Sequence, residues 1–202
     1  MPKVFADRNL VRESLVSAGR ELFARYGLKR TSVQDITSKA GIAKGTFYAF
    51  FSSKEQLFFE IMEQEEQFRE ELLSRQYQEA ETAREGIRTI ISEGLRFVSE
   101  NELLQQLFQE DTYAALMQKL TKEELNRHRK QDEADTRSFI ELLQQQGLLI
   151  DRPPELITGV LRALFLLTLH QKEIGEQQFP AMMELLAELL ADGLTTEKGK
   201  TP

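Results

Sequence analysis

The sequence predicts an all-α protein, with an N-terminal three-helix, helix-turn-helix domain followed by a larger helical domain. Apolar residues recur at spacings of three and four along almost the whole chain, whereas alternation with a period of two is nearly absent. Capping sequences precede several of these apolar runs, and Gly or Pro separates them. With 202 residues, of which 41% are hydrophobic and 29% charged, the chain can form one medium domain or two small ones.

The N-terminal part contains the short helices of this prediction. The first helix ends at Gly27 and carries an apolar stripe made by Val11, Leu15, Ala18, Leu22 and Tyr26. Residues 31–34, Thr-Ser-Val-Gln, have the form of a capping box that starts a second helix ending at Gly41. A third helix fits residues 43–50, and Ser-Ser-Lys-Glu at 52–55 is a second capping box that opens a long helix. Helices this short are unstable alone, so we expect them to share one core.

The rest of the chain predicts further helices separated by weak breakers. They cover residues 84–99, 102–120, 121–146, 153–175 and 180–193. The segment beginning at Thr121 is a third capping box, and Gly147 is expected to supply a left-handed cap at the end of that helix.

The composition excludes several classes of site. The chain has no cysteine, which excludes disulfides, cysteine-ligated metals, iron–sulfur clusters and thiol catalysis. Of the two histidines, His128 lies on a charged helix face that suits solvent, and His170 near the end of an apolar helix suits a core or an interface. Residues 41–46 lack the consecutive Gly-Lys-Ser/Thr and the preceding strand of a phosphate-binding loop. We therefore expect no metal, no cofactor and no enzyme activity.

Neither an export signal nor a membrane span is predicted. Residues 1–8 contain no apolar core of signal-peptide length. The most apolar stretch, residues 160–169, includes an arginine and is shorter than the ~20 residues that a span requires. These features predict a cytoplasmic protein with no membrane partner.

The charge is distributed unevenly along the chain. The formal net charge is −7, but residues 1–55 hold ten Lys/Arg against five Asp/Glu, a balance of +5. Residues 56–202 hold the remaining sixteen bases and twenty-eight acids, a balance of −12. Such asymmetry is either chance clustering of surface charge or the sign of an N-terminal region that meets a polyanion.

Residues 31–50 have the form of a helix-turn-helix. The apolar contacts that would hold its two helices to the first helix are Val33, Ile36, Ala40, Ile42, Phe47 and Phe51. The outer face of the second helix is then left to Lys44, Thr46, Tyr48, Ala49 and Phe50. The helix amides, the Lys44 ammonium and the hydroxyls of Thr46 and Tyr48 can bind phosphate oxygens, and Lys54 can bind the same DNA backbone.

Several segments resemble the DNA-binding domain of the TetR family of bacterial transcriptional regulators. They are TSVQDI at 31–36, AGIAKGTFY at 40–48 and FSSKEQLF at 51–58, while AGRELFARYG at 18–27 is similar to that family's first helix. The resemblance covers roughly residues 8–60. It implies an Ω-shaped homodimer of all-helical chains with nine or so helices each, in which residues 1–55 bind DNA and residues 56–202 bind an effector and dimerise.

The resemblance also implies which residues contact DNA. Carried over position by position, they are Ser32, Val33, Ala43, Lys44, Gly45, Thr46, Tyr48, Ala49, Phe50 and Lys54. Many members of the family have histidine or another polar residue where this chain has Ala49 and Phe50. Two interpretations of Phe50 remain open: it contacts thymine methyl groups and senses DNA shape, or it packs inward and contacts no base.

The last two long helices are apolar on more than one side, so they must be covered on most sides. Either they form the centre of a single chain, or they pair with their mates in a four-helix dimer interface, as the resemblance favours. The residues expected in that interface are Leu161, Leu164, Thr168, Met182, Leu186 and Leu189.

A small-molecule cavity is implied by the resemblance as well. Aromatic and methionine residues available to line it are Phe58, Met62, Phe97, Phe108, Tyr113, Met117, Phe139 and Phe165. The same residue types at helical spacing are also typical of ordinary core. The acidic charge of residues 56–202 favours a cationic or lipophilic amine effector.

The sequence thus leads to the hypothesis of a transcriptional repressor that binds a palindromic operator as a homodimer and is released by a small-molecule effector. One alternative is a regulator of the same fold that lacks a small-molecule pocket and acts through protein partners. The other is an enzyme on a helical scaffold, which would require a buried carboxylate cluster or a bound metal.

Overall fold

The computed structural model of the protein describes residues 8–107 and 110–200. Within those ranges, the side chains it leaves out are those of Leu107, Glu110, Asp111, Tyr113, Lys122, Leu169 and residues 124–133. The described residues form helices joined by short loops, and between them they contain no strand beyond one isolated antiparallel bridge, Leu149 to Thr195. The predicted all-α class is confirmed.

The described helices follow the apolar periodicity of the sequence closely. In chain order they are α1 (Arg8–Arg30), α2 (Val33–Ala40), α3 (Lys44–Phe47), α4 (Lys54–Glu79), α5 (Ala83–Glu100), α6 (Glu102–Leu107), α7 (Glu110–Lys119), α8 (Lys122–Gln145), α9 (Pro154–Leu167), α10 (Gln171–Ile174) and α11 (Phe179–Leu194). One predicted helix is interrupted: 153–175 is divided into α9, a 3-10 turn at Thr168–His170, and α10. The predicted helix 102–120 is described as α6 and α7, and residues 108–109 lie outside the described residues.

The chain divides into two compact units. The N-terminal unit consists of Met1–Gln67 and Asn101–Lys122, and the C-terminal unit of Phe68–Glu100 and Glu123–Pro202. The boundary expected at residue 55 therefore lies inside the N-terminal unit. Residues 101–122, which sequence analysis assigned to the C-terminal domain, belong to the N-terminal unit because α6 and α7 pack on α1.

The core of the N-terminal unit is rich in phenylalanine. Its largest fully buried side chains include Phe23, Phe47, Phe51, Phe58, Leu15, Ile36, Leu57 and Ile61. Phe23 and Phe58 meet edge to face, with ring centroids 5.3 Å apart. This shared core joins α1 and α4 to α2 and α3, so the short helices are held by tertiary packing.

The first helix is broken at Gly27, where it was expected to end. Gly27 has φ 80° and ψ 161°, a conformation that costs a glycine little and other residues much more. The Thr31 hydroxyl donates to the Gly27 carbonyl oxygen at 2.9 Å, and the Leu28 N–H donates to the side-chain oxygen of Gln106 at 3.2 Å. The backbone groups released by the break are therefore bonded inside the unit.

The first two capping boxes lie one residue later than predicted. The α2 cap is Ser32: its hydroxyl accepts from the Asp35 N–H, and the Asp35 carboxylate accepts from the Ser32 N–H. The Gln56 N–H likewise donates to Ser53 at the start of α4. Thr31 is not the cap: it is buried, and its hydroxyl faces the carbonyl oxygens of α1, donating to that of Gly27, while the Asp35 N–H of α2 is bonded to Ser32.

The C-terminal unit has its own apolar core. It is formed by buried residues of α5, α8, α9 and α11, with Leu149 from the loop after α8. Gly147 has the left-handed φ of 70° expected at the end of α8. At one end of α11, Arg84 donates to the Asp192 carboxylate at 2.5 Å, which raises the pKa of Arg84 and lowers that of Asp192. No described helix is long and apolar enough to cross a membrane.

Candidate nucleic-acid interface

The turn between α2 and α3 is held by backbone hydrogen bonds. Gly41 ends α2 with φ 68°, and the Ile42 N–H donates to the Thr37 carbonyl oxygen at 2.9 Å. At the other end of α2, the Ser32 hydroxyl, followed by the Ser32 N–H, lowers the pKa of Asp35 by donating to its carboxylate. The ionised carboxylate suits the N-terminus of a helix, so both ends of α2 are fixed.

Residues 43–50, called here the recognition segment, begin as α3 and continue as hydrogen-bonded turns. The N–H of Ala49 donates to the Thr46 carbonyl oxygen at 3.1 Å, and that of Phe50 to the Phe47 carbonyl oxygen at 2.9 Å. Phe47 is fully buried, with its ring 5.7 Å from that of Phe51 and 5.4 Å from that of Tyr48. Phe47 therefore anchors the segment and sets which of its faces is exposed.

Most side chains predicted to contact DNA are on the exposed face of this segment. Tyr48 is 54% exposed despite its contact with Phe47, and the other exposed predicted residues are Ser32, Ala43, Lys44, Gly45 and Ala49. Val33 and Thr46 are half-buried. A Cβ atom built on Gly45 would meet nothing within 4 Å, so the segment leaves open space over the backbone at that position.

Phe50 is half-buried, and its ring carries a cation. The Arg8 guanidinium carbon lies 5.5 Å from the centroid of the ring, which is within cation–π distance. The contact joins the first turn of α1 to the end of the recognition segment. A role for Arg8 was not predicted from the sequence, because a contact between residues 8 and 50 leaves no local pattern.

Lys54, which is predicted to contact the DNA backbone, makes hydrogen bonds within the N-terminal unit. Its ammonium donates to the carbonyl oxygens of Leu28 at 2.7 Å and Thr31 at 2.8 Å, and to that of Lys29 at 3.3 Å. Lys54 therefore closes the end of α1 and links it to the start of α4.

Gln106 is a second residue that sequence analysis missed. Its side-chain amide is buried, donates to the Phe23 carbonyl oxygen at 2.8 Å and accepts from the Leu28 N–H. Gln106 thus connects α6 to the break in α1. The available signal was its position three residues after Leu103, where a polar side chain falls on the buried side of a short helix.

The residues predicted to line an effector cavity divide between the two units. Phe58 and Met62 are buried in the N-terminal unit, where Phe58 packs on Phe23, and Met117 of the same unit is exposed. Phe97, Phe139 and Phe165 are half-buried in the C-terminal unit, where Phe139 meets Tyr77 edge to face at 5.1 Å. Phe108 and the side chain of Tyr113 lie outside the described residues.

Two clefts open on the surface of the N-terminal unit, with volumes of about 280 and 630 Å³. The smaller lies beside Arg12, Arg20 and Gln64, whose partners include Glu60 and Glu65. Neither cleft is lined by a residue predicted for the effector cavity.

The exposed apolar residues of α9 and α11 differ from those predicted for the dimer interface. Leu164 is a correction, because its side chain is 4% exposed and belongs to the core of its own unit. Leu189 is 57% exposed, whereas Leu161, Thr168, Met182 and Leu186 are half-buried. Two exposed rows are defined by Leu156 and Val160 on α9 and by Leu185 and Leu189 on α11. Their i, i+4 spacing is the signal that could have identified them.

Several similarities to known proteins cover only a segment of the N-terminal unit. The family model described as bacterial regulatory proteins, tetR family, matches residues 15–61. The HTH-type transcriptional repressor KstR2 of Mycolicibacterium smegmatis is 43% identical over 51 residues, 25% of each chain. An uncharacterized HTH-type transcriptional regulator of Bacillus subtilis, YvdT, is 45% identical over 51 residues, 25% of this chain and 26% of the relative. The chain thus spans about a quarter of the length of these curated relatives.

Other similarities extend over most of the chain. The uncharacterized HTH-type transcriptional regulator YhgD of Bacillus subtilis is 26% identical over 183 residues, 87% of this chain and 90% of that protein. A TetR-family regulator from Pectobacterium atrosepticum has the same fold, with a TM-score of 0.74 at 23% identity over 97% of this chain and 100% of that one. The regulator FadR of Bacillus subtilis, solved in complex with stearoyl-CoA, has a TM-score of 0.61 at 20% identity over 90% of this chain and 98% of that one. These proteins are transcriptional regulators rather than enzymes.

Proposed function

We propose that the chain is a DNA-binding transcriptional regulator of the TetR family, a repressor that binds a palindromic operator as a homodimer and leaves it when a small-molecule effector binds. The observation that carries this proposal is the recognition segment. Its buried Phe47 fixes a face on which Lys44 and Tyr48 are exposed.

The exposed face suits the chemistry of a DNA backbone. The Lys44 ammonium and the Tyr48 hydroxyl can donate to phosphate oxygens, and the space over Gly45 lets a phosphate or a base edge approach the helix backbone. Lys54 supports this face indirectly, since its ammonium holds the end of α1 against the start of α4.

The two exposed apolar rows of α9 and α11 support a homodimer. Leu156, Leu185 and Leu189 are each more than half exposed, and burial of a leucine contributes roughly 1.5–3 kcal/mol. A palindromic operator requires two recognition segments about one helical turn of DNA apart, ~34 Å, which a symmetric dimer supplies.

Release by an effector would be a shift between two dimer populations. To move from 1% to 99% released, the effector must prefer the released form by about 5.5 kcal/mol. That FadR of Bacillus subtilis was solved with stearoyl-CoA supports a small-molecule effector for a chain of this fold. The name of the KstR2 relative supports repression.

The test of DNA binding begins with selection of duplexes from fragmented genomic DNA by the unmodified protein. We expect Lys44→Ala to weaken binding to a selected duplex and to reduce the slope of log K against log [salt] by about 1.8, because one phosphate contact is lost from each of the two subunits. Fluorescence anisotropy at several salt concentrations measures both quantities.

The matched control is Lys39→Ala. Lys39 is a lysine of the same unit whose ammonium bonds Glu21 at 2.6 Å, and its removal is expected to leave the slope unchanged. Equal slopes for the unmodified protein and the Lys44 variant would remove the recognition segment from the proposal.

A further inference from the structure

We infer that Arg8 is an additional DNA-backbone contact, and that Phe50 is a positioning residue that holds the Arg8 guanidinium at the end of the recognition segment. This inference rests on the proposed binding of DNA by that segment. In this role Phe50 neither contacts a base nor packs wholly inward. Its ring is half-buried, and the Arg8 guanidinium lies over one face of the ring.

Arg8 and Lys44 lie at opposite ends of the recognition segment. Lys44 begins α3, whereas the Arg8 guanidinium lies over the ring of Phe50, the last residue of the segment. The two residues therefore place a cation at each end of the segment that would contact the DNA backbone.

The chemistry of the Arg8–Phe50 pair favours a role in binding. A guanidinium stacked on an aromatic face keeps its N–H donors at its edge, from which they can reach a phosphate oxygen. The stack also restricts the rotamers of a long, exposed side chain, so less conformational entropy is lost when DNA binds.

The local electrostatics agree with an external anion. Arg8 lies in the first turn of α1, which contains no acidic residue. A cation at that end of a helix is disfavoured by the helix dipole. The negative charge of a phosphate beside Arg8 would offset this unfavourable interaction between the guanidinium and the helix dipole.

The experiment compares variants on one duplex selected by the unmodified protein, across a range of KCl concentrations. Arg8→Ala should weaken binding about a hundredfold, because each of the two subunits loses one charge-assisted hydrogen bond, and should reduce the salt slope by about 1.8. Arg8→Lys should keep the slope, because it keeps the charge. Each variant's thermal unfolding is followed by circular dichroism to establish that it is folded.

The chain offers a matched control in Arg25→Ala. Arg25 is an exposed arginine of the same helix that also lies over an aromatic ring, 5.2 Å from the centroid of Tyr26. It is seventeen residues from Arg8, about 25 Å along α1. Its loss should change neither affinity nor slope.

The role of Phe50 is tested by a double-mutant cycle. Phe50→Leu should weaken binding a few-fold in the unmodified background and have little effect in the Arg8→Ala background, because the ring acts through the guanidinium. Its effect should be the same on duplexes that differ at single base pairs.

Two results would overturn the inference alone: an Arg8→Ala protein with the slope of the unmodified protein, or a Phe50→Leu effect that is confined to one base pair and independent of Arg8. If the unmodified protein selected no duplex, both the proposed function and this inference would fail.

Discussion

At the scale of single residues, Gly45 is a position where the proposed DNA binding, and not the fold, accounts for a glycine. Nothing lies within 4 Å of where its Cβ would be, and its φ is not in the left-handed region, so neither packing nor backbone conformation requires a glycine. A glycine inside a helix is unfavourable by roughly 0.5–1 kcal/mol relative to alanine. The proposed close approach of DNA to the backbone at Gly45 would account for this cost.

We expect Gly45→Ala to leave the free energy of unfolding unchanged or to raise it by up to about 1 kcal/mol, while DNA affinity falls about tenfold. Urea unfolding and anisotropy measure the two effects. Unchanged DNA affinity of the Gly45 variant would contradict the role given to the open space.

Adjacent residues of similar type limit what sequence can predict at this scale. Thr31-Ser32 and Ser52-Ser53 each contain two hydroxyls that fit a cap, and local pattern favoured the wrong one in both cases. The distinction is tertiary, because Thr31 is buried with its hydroxyl on the Gly27 carbonyl oxygen. Exposure of Lys44 and Tyr48, in contrast, followed from the apolar positions around them.

At the scale of elements, α6 is part of the N-terminal unit because polar contacts hold both of its ends. Asn101 caps α6 by accepting from the N–H of Leu103 and Leu104, and its amide donates to Glu65 of α4. Gln106 near the other end bonds the Phe23 carbonyl oxygen and the Leu28 N–H of α1. The N-terminal core thus extends to a helix that is distant in sequence.

Gln106→Leu is expected to lower the free energy of unfolding by about 2–4 kcal/mol, because it leaves a buried carbonyl and a buried N–H without their partner. Chemical denaturation followed by circular dichroism measures the change. Gln118→Leu, at an exposed position of α7 in the same unit, provides the comparison. Equal stability of the two variants would show that the amide bonds of Gln106 contribute little.

The existence of most helices followed from periodicity, whereas their interruptions did not. Residues 153–175 have a continuous helical pattern, yet α9 ends at Leu167 and a 3-10 turn at Thr168–His170 separates it from α10. The packing of α6 and α7 on α1 involves residues about 80 positions apart, which no local window contains. The helix-turn-helix could be predicted because its signals are local. The contact of Arg8 with Phe50 could not, because the two residues are far apart in the sequence.

At the scale of the whole molecule, the exposed rows on α9 and α11 are the proposed basis for assembly. Leu189→Glu places a carboxylate in the proposed interface twice by symmetry, so we expect the dimer dissociation constant to rise about hundredfold or more. Analytical ultracentrifugation measures this change, and affinity for a palindromic duplex should fall with it.

Leu142→Glu makes the same substitution at an α8 leucine that is 50% exposed in the same unit. It should leave the sedimentation behaviour of the unmodified protein intact. A Leu189 variant that sediments as the unmodified protein does would place the interface elsewhere.

The discontinuity of the N-terminal unit also has a consequence for synthesis of the chain. During translation, residues 15–61, which match the family model, leave the ribosome long before Gln106 does. Until then the Leu28 N–H and the Phe23 carbonyl oxygen lack the partner they have in the complete fold. Domains generally fold as they emerge, N-terminal first, but this unit becomes complete only when residues 101–122 have been made and have packed on α1. A nascent chain of this protein therefore acquires its complete N-terminal unit only after the segment 68–100 of the other unit has been translated.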